Sequence, residues 1–422
     1  MSTHRTNPWA GLASYQDPET AEVKLKFCGR DKESYDVAQL IDDNICVTLY
    51  GKSGTGKTSL LNAGVFPRLR HQQYLPVSIR LAAEARESSF QRCIVEKVSR
   101  VASSAGSVQT FDVVPMPSDE KSIDYLWHFF ARSRFVAADG RVLFPVMVFD
   151  QFEEVFRGRR DEAEILLRQI HFMMDESHTL ADRLVDGHPY SYDFNFRFVL
   201  SLREDDLYRL EDSIDNCYLP EMKRCRYRLR SLSDNAARDV VLISGEGLFR
   251  QSEQDAIATT IVNTARNNED HTISTNILSL ICSRIFVEWQ SSGSEYITPS
   301  LVETFVKGNP FERFYNEATR GCSNREKTYI EEHLVDSEGR RNSIPEKDLQ
   351  HNISNWRRLL EGDNRILQRI ASSADSSGYR VELLHDSFCE PLLGQKEKRA
   401  KRRRLKWLAF TLAISIFLVS IV

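Results

Sequence analysis

The chain has 422 residues, with 41% apolar and 27% charged side chains, the balance of a globular protein that buries a core in two to four domains. That balance excludes a disordered chain, a collagen-like fibre and a small disulfide knot. The formal net charge of −4 gives no sign of a nucleic-acid binder, and the eight scattered cysteines show no CxxC or metal-ligand spacing.

The opening MSTHRTNPWAGL has no apolar signal region, so the bulk of the chain is expected in the cytoplasm. Over residues 1–230, short and nearly continuous apolar runs at 45–50, 77–81, 142–149 and 196–202 alternate with helical stretches. Such runs predict buried parallel strands with helices between them, an α/β domain.

The first run leads into Gly51-Lys-Ser53-Gly54-Thr55-Gly56-Lys57-Thr58, a complete G-x-x-x-x-G-K-T between a strand and a helix-like stretch. Its glycines let backbone N–H groups curl around phosphate oxygens, and the following helix start, with Ser59, adds its dipole. Lys57 reaches the β- and γ-phosphates, and Thr58 offers a hydroxyl to Mg²⁺. The third run ends at Asp150, placed to hold Mg²⁺ through water, and two more acids follow at Glu153 and Glu154. One of these two is the candidate to position the attacking water, and the residues alone do not select it. The fourth run ends at Arg203, which either reads the γ-phosphate or pairs with the acids at 204–206. No N-K-x-D or T-K-x-D segment is present, which favours ATP over GTP.

Residues 231–320 carry helical spacing, with Ser233 and Asp234 as caps and an apolar face at Ile277, Leu278, Ile281, Ile285 and Phe286. Residues 321–394 are helical and close on a strand at 379–384. Residues 395–406 form a charged stretch, in which 396–406 hold eight basic residues and one acid. Residues 407–422 carry no charge. Sixteen helical residues reach about 24 Å, against roughly 30 Å for a bilayer core. With Lys406 snorkelling, Trp407 at the interface and basic flanks, the expectation is still a single-pass membrane helix, with the rest in the cytoplasm.

Together these pieces resemble the STAND class of signalling ATPases, and more narrowly the bacterial novel STAND NTPases. The resemblance covers about 7–394. It rests on Asn7-Pro-Trp-Ala-Gly-Leu12, Phe27-Cys-Gly29-Arg30-Asp31, the phosphate loop with Ser59-Leu-Leu-Asn-Ala-Gly64, Phe149-Asp-Gln-Phe-Glu-Glu-Val-Phe156, Leu202-Arg203-Glu-Asp and Val381-Glu-Leu-Leu-His385-Asp386. It implies a P-loop NTPase domain, a helical lid and a winged helix. Gly29 and Arg30 would lie near the adenine, and His385 would touch bound ADP. Gly245-Glu-Gly-Leu departs from a family proline that contacts nucleotide.

The implied activity is a slow ATPase switch, ADP-bound off and ATP-bound on. It would use Mg²⁺, homo-oligomerise when opened by an unknown trigger, and act in signalling or antiviral defence with a membrane-anchoring or membrane-acting tail. The alternatives are an ATP-binding scaffold with little turnover, or an origin-recognition-like ATPase. For the latter, nucleic acid is a less fitting partner than anionic lipid beside the apolar run.

Overall fold

The computed structural model describes residues 5–401 except 12, 20, 22–23, 86–87, 111–115, 158, 175–183, 186–187, 190–195, 268–270, 308–309, 337–338, 340, 361–364, 372–378, 385–387 and 400. The chain divides into two compact units, Met1–Glu303 and Thr304–Val422. The helices after residue 231, expected as a block of their own, therefore fall within the first unit up to Glu303.

The first unit is built on a seven-stranded sheet. Its strands are β1 (Cys46–Gly51), β2 (Tyr74–Ile79), β3 (Gly106–Thr110), β4 (Ser133–Ala137), β5 (Val142–Phe149), β6 (Arg197–Arg203) and β7 (Arg226–Arg228). The order is β3–β4–β5–β6–β1–β7, with β2 also paired to β5. Pairings among β1, β2, β5, β6 and β7 are parallel, whereas β3 and β4 join antiparallel. The parallel strands read as unbroken apolar runs because both faces are covered. Val47, Leu49, Val146, Val148 and Val199 pack with Val37 and Ile41 of the helix Asp31–Asp43. Met147, Phe149, Phe198 and Leu200 point the other way, onto Ile94 of Phe90–Ala105 and Ile170 of Arg160–Met174.

After the glycine loop the helix starts at Lys57, widens to a π turn over Leu60–Val65, and returns to α over Phe66–His71. Gly64 lies in the π turn, where an added Cβ would collide with Ser34. Beyond the sheet, Ser233 caps Asp234–Ser244 by accepting from the Ala236 N–H, and Ser274 caps Thr275–Ser292 in the same way from Ile277. The N-terminal segment straps these helices to the sheet domain. Asn7 donates to Ser283, Trp9 Nε1 to Val240 O, and the Tyr15 N–H to Ser59 Oγ, while Arg70 holds Asp17.

The second unit places the helices Asn324–His333, Glu346–Asn352 and Trp356–Leu360 with an antiparallel sheet. That sheet has β8 (Ile344–Pro345), β9 (Leu367–Ala371) and β10 (Tyr379–Leu383), with β10 central. Within it, buried Glu331 accepts from Tyr315 at 3.0 Å and pairs with Arg399 at 3.2 Å. Glu346 pairs with Arg369 at 3.1 Å. Part of the basic stretch is thus engaged by acids, with Lys398 also 3.0 Å from Glu312.

The single-pass membrane placement is corrected. No helix among the described residues is long and apolar enough to cross a membrane. The longest of them, Thr275–Ser292, has 18 residues and carries Arg284 and Glu288. Residues 407–422 lie outside the described residues.

Candidate functional site

Three parallel strands end together. In register, Gly51 of β1 lies beside Arg203 of β6, and β6 separates β1 from β5. The loop after β1 turns through Gly54 and Gly56, at φ of +76° and +89°, values that favour glycine. A Cβ on Gly51 would meet Leu229 O. Lys57 Nζ lies over the loop, donating to Gly51 O at 2.9 Å and Lys52 O at 3.2 Å. Burial pushes its ammonium below the ordinary lysine range, against the opposing pull of Glu153 and Asp150. Thr55 folds its hydroxyl onto Lys52 O at 3.0 Å.

The acid of β5 meets the loop directly. Thr58 Oγ1 donates to Asp150 Oδ2 at 2.8 Å, and Ser201 Oγ of β6 donates to Oδ1 at 3.0 Å. Beyond Asp150 the chain turns sharply, with Gln151 at φ +56°, into the 3₁₀ turn Phe152–Arg157. That turn sends two adjacent glutamates different ways. Glu153 is 4% exposed, and its Oε2 accepts from the Arg203 N–H at 3.3 Å. Burial raises its carboxyl to about 7, with Lys57 opposing. Glu154 is held two-pronged by Arg80 at the end of β2, with Nε to Oε2 at 2.9 Å.

The structure therefore brings Gly51, Lys57, Thr58, Asp150, Glu153 and the Arg203 backbone into one cluster. The Arg203 guanidinium lies 3.6 Å from Asp205. Ser59 turns its hydroxyl to the Tyr15 N–H at 3.1 Å. Arg30 is buried on carbonyls of the loop and of Arg230, and Gly29, at φ +77°, packs against Ala236 O. His385 lies outside the described residues. Two partners were not anticipated. Ser201 was legible as the one polar residue inside Phe-Val-Leu-Ser-Leu, whereas Arg80 is set by the pairing of β2 with β5, which no local pattern signals. A cleft of about 450 Å³ opens beside the loop, lined by Lys52, Thr55, Arg230, Ser233 and Thr272 among others.

The donor set fits Mg²⁺. A threonine hydroxyl and a carboxylate are hard oxygen ligands, and Mg²⁺ takes only one or two from protein while keeping water and phosphate. Thr58 and Asp150 are the residues that would hold it.

No curated protein matches this chain. Similar solved structures include the Aeropyrum pernix ORC2 protein in ADPNP–ADP complexes, at 11% identity over 92% of this chain and 98% of that one, with a TM-score of 0.48. The Aeropyrum pernix ORC1 protein in complex with DNA matches at 14% identity over 89% and 94%, with a TM-score of 0.40. Cdc6p from Pyrobaculum aerophilum matches at 13% identity over 91% and 100%, with a TM-score of 0.44. Similarity at this level says nothing of this chain's chemistry. The family comparison is more specific: residues 8–281, well over half the chain and including every part of the cluster around Asp150, match the model described as Novel STAND NTPase 1. The chain belongs to the novel STAND NTPase 1 family.

Proposed function

We propose that this protein is a nucleotide-operated switch that binds ADP and ATP with Mg²⁺ and hydrolyses ATP slowly. The observation that carries the reading is the 2.8 Å bond from Thr58 of the glycine loop to Asp150, the residue that follows β5. It joins the phosphate cradle to the acid that metal-assisted phosphoryl chemistry needs. When bound, Mg²⁺ neutralises charge on the β- and γ-phosphates. The chain's own groups do the rest. Lys57 moves from the Gly51 and Lys52 carbonyls to phosphate, and Glu153 orients the attacking water. Arg203, at the end of β6, reads the γ-phosphate. Glu154, held by Arg80, is the less suited of the two glutamates. The cleft beside the loop takes the ribose and base.

The helices from 234 to 292 act as the lid, and the second unit, with its helices and three-stranded antiparallel sheet, is a winged helix. Exchange of ADP for ATP opens the molecule and drives self-association in signalling. A ligand shifts such an equilibrium only through its differential affinity for the two states, here supplied by the γ-phosphate. The test is to size the full chain with ADP, with ATP and with a non-hydrolysable ATP analogue. Growth in size with the analogue alone supports the switch. Identical size in all three, with nucleotide demonstrably bound, removes it.

A further inference from the structure

Arg30 stands at the start of the helix Asp31–Asp43 and is 5% exposed. The family resemblance would place it against the adenine, but its guanidinium is engaged elsewhere. One arm faces Glu33 Oε1 at 2.5 Å. The other donates to Thr55 O at 3.2 Å and to Arg230 O at 2.7 Å. Thr55 belongs to the glycine loop and is itself 5% exposed. Arg230 follows β7, and the next three residues lead into the helix Asp234–Ser244. One planar fork therefore bonds the phosphate loop to the connector of the helical lid.

The neighbouring contacts leave this junction little slack. The Leu229 N–H donates to Tyr50 O at 2.7 Å. Leu229 O occupies the space a Cβ on Gly51 would need. Gly29, next to Arg30, is pressed against Ala236 O of the lid helix, so that a Cβ there would lie 2.6 Å from it. Thr55 O and Arg230 O thus share one donor nitrogen of Arg30.

We infer that Arg30 is a positioning residue that couples the phosphate loop to the lid connector at 230–233, and that it is not a ligand of the base. The inference rests on the nucleotide reading above. It makes the polyphosphate, rather than the adenosine, the part of the ligand whose binding Arg30 supports. A guanidinium that holds Glu33 through Nη1 while its Nη2 donates to both carbonyls is a two-nitrogen geometry that lysine, a point charge on a flexible stem, does not reproduce.

The experiment uses the full chain as wild type, Arg30→Gln, Arg30→Lys and Glu33→Gln, with ATP and inorganic tripolyphosphate as probes, and trypsin cleavage after Arg230 as a second readout. Arg30→Gln is expected to weaken both probes by the same factor, about tenfold, and to speed cleavage at the connector. Arg30→Lys should restore neither, and Glu33→Gln should lose a few-fold, equally for both probes. Weakened ATP with unchanged tripolyphosphate would make Arg30 a base ligand and overturn the inference, as would full rescue by lysine or unchanged affinity for both. Wild type that binds ATP but not tripolyphosphate also counts against it. Should Arg30→Gln fail to fold, Glu33→Gln decides: an unequal loss, or none, overturns the coupling. Wild type that binds neither probe would instead remove the nucleotide reading.

Discussion

Both units bury charged groups, and they do so to different ends. In the second unit, Glu331 is raised by burial but has Tyr315 and Arg399 as partners, and Glu346 has Arg369. These groups fasten distant segments together. In the first unit the buried acid at Glu153 accepts a bond from a backbone N–H, and Lys57 donates to carbonyls of its own loop. Burial displaces both toward neutrality, Glu153 upward and Lys57 downward. The lesson is that a buried charge reads as staple or as tool according to what faces it.

The most severe way to break the contrast is Lys57→Ala. Loss of the loop cation is expected to lower nucleotide affinity about a thousandfold, on the order of 4 kcal/mol, measured by displacement of a fluorescent ADP. Near-normal affinity would remove Lys57 from the site. Next, Glu153→Gln should slow steady-state phosphate release about a hundredfold, within the usual range for a positioned base. Glu154→Gln should cost less than about tenfold, because Arg80 already holds that carboxylate. The reverse ranking would exchange the two roles.

On the staple side, Arg399→Met leaves Glu331 buried beside Tyr315 alone. A loss of about 3 kcal/mol of unfolding free energy is expected for the second unit, read from its denaturant midpoint, and adding Glu331→Gln should recover part of it. No loss would mean that the pair fastens nothing.

The smallest effect is in pH. With the Glu153 carboxyl at about 7, the carboxylate form accumulates as pH rises through that value, so wild-type hydrolysis should climb about tenfold between about pH 6 and 8. Glu153→Gln should be flat. For stability the sign is opposite. The proton is held more tightly in the folded state, so the group's contribution is full below the ordinary carboxylate range and is lost as pH rises through about 7. Glu153→Gln should therefore be the more stable protein at pH 8, read as a higher denaturant midpoint.

How far the sequence reached differs by element, for physical reasons. The run at 142–149 is the observed β5, and β1 and β6 begin and end one residue later than their apolar runs. Central parallel strands are covered on both faces, so composition alone marks them. β7 is Arg-Tyr-Arg, paired with β1 and with its arginines on Glu211 and Glu204, and β3 and β4 form an antiparallel edge. β7 and β3 carry no apolar run to read, and that of β4 is short. The glycine loop and Asp150 were legible because phosphate chemistry imposes their spacing. The different surroundings of Glu153 and Glu154 were not, because they depend on Gln151 turning the backbone and on Arg80 arriving from another strand.

The π turn over Leu60–Val65 changes the phase of everything after it. Each residue in an α-helix advances the face by about 100°, and the wider turn absorbs part of that rotation. Were the same six residues wound as plain α, Phe66–His71 would swing by about that angle. Arg70 would leave Asp17, and with it the N-terminal strap would lose its hold on the sheet domain. The stretch behind the phosphate loop thus works as a spacer that keeps two helix faces in step, and its length matters as much as its residues.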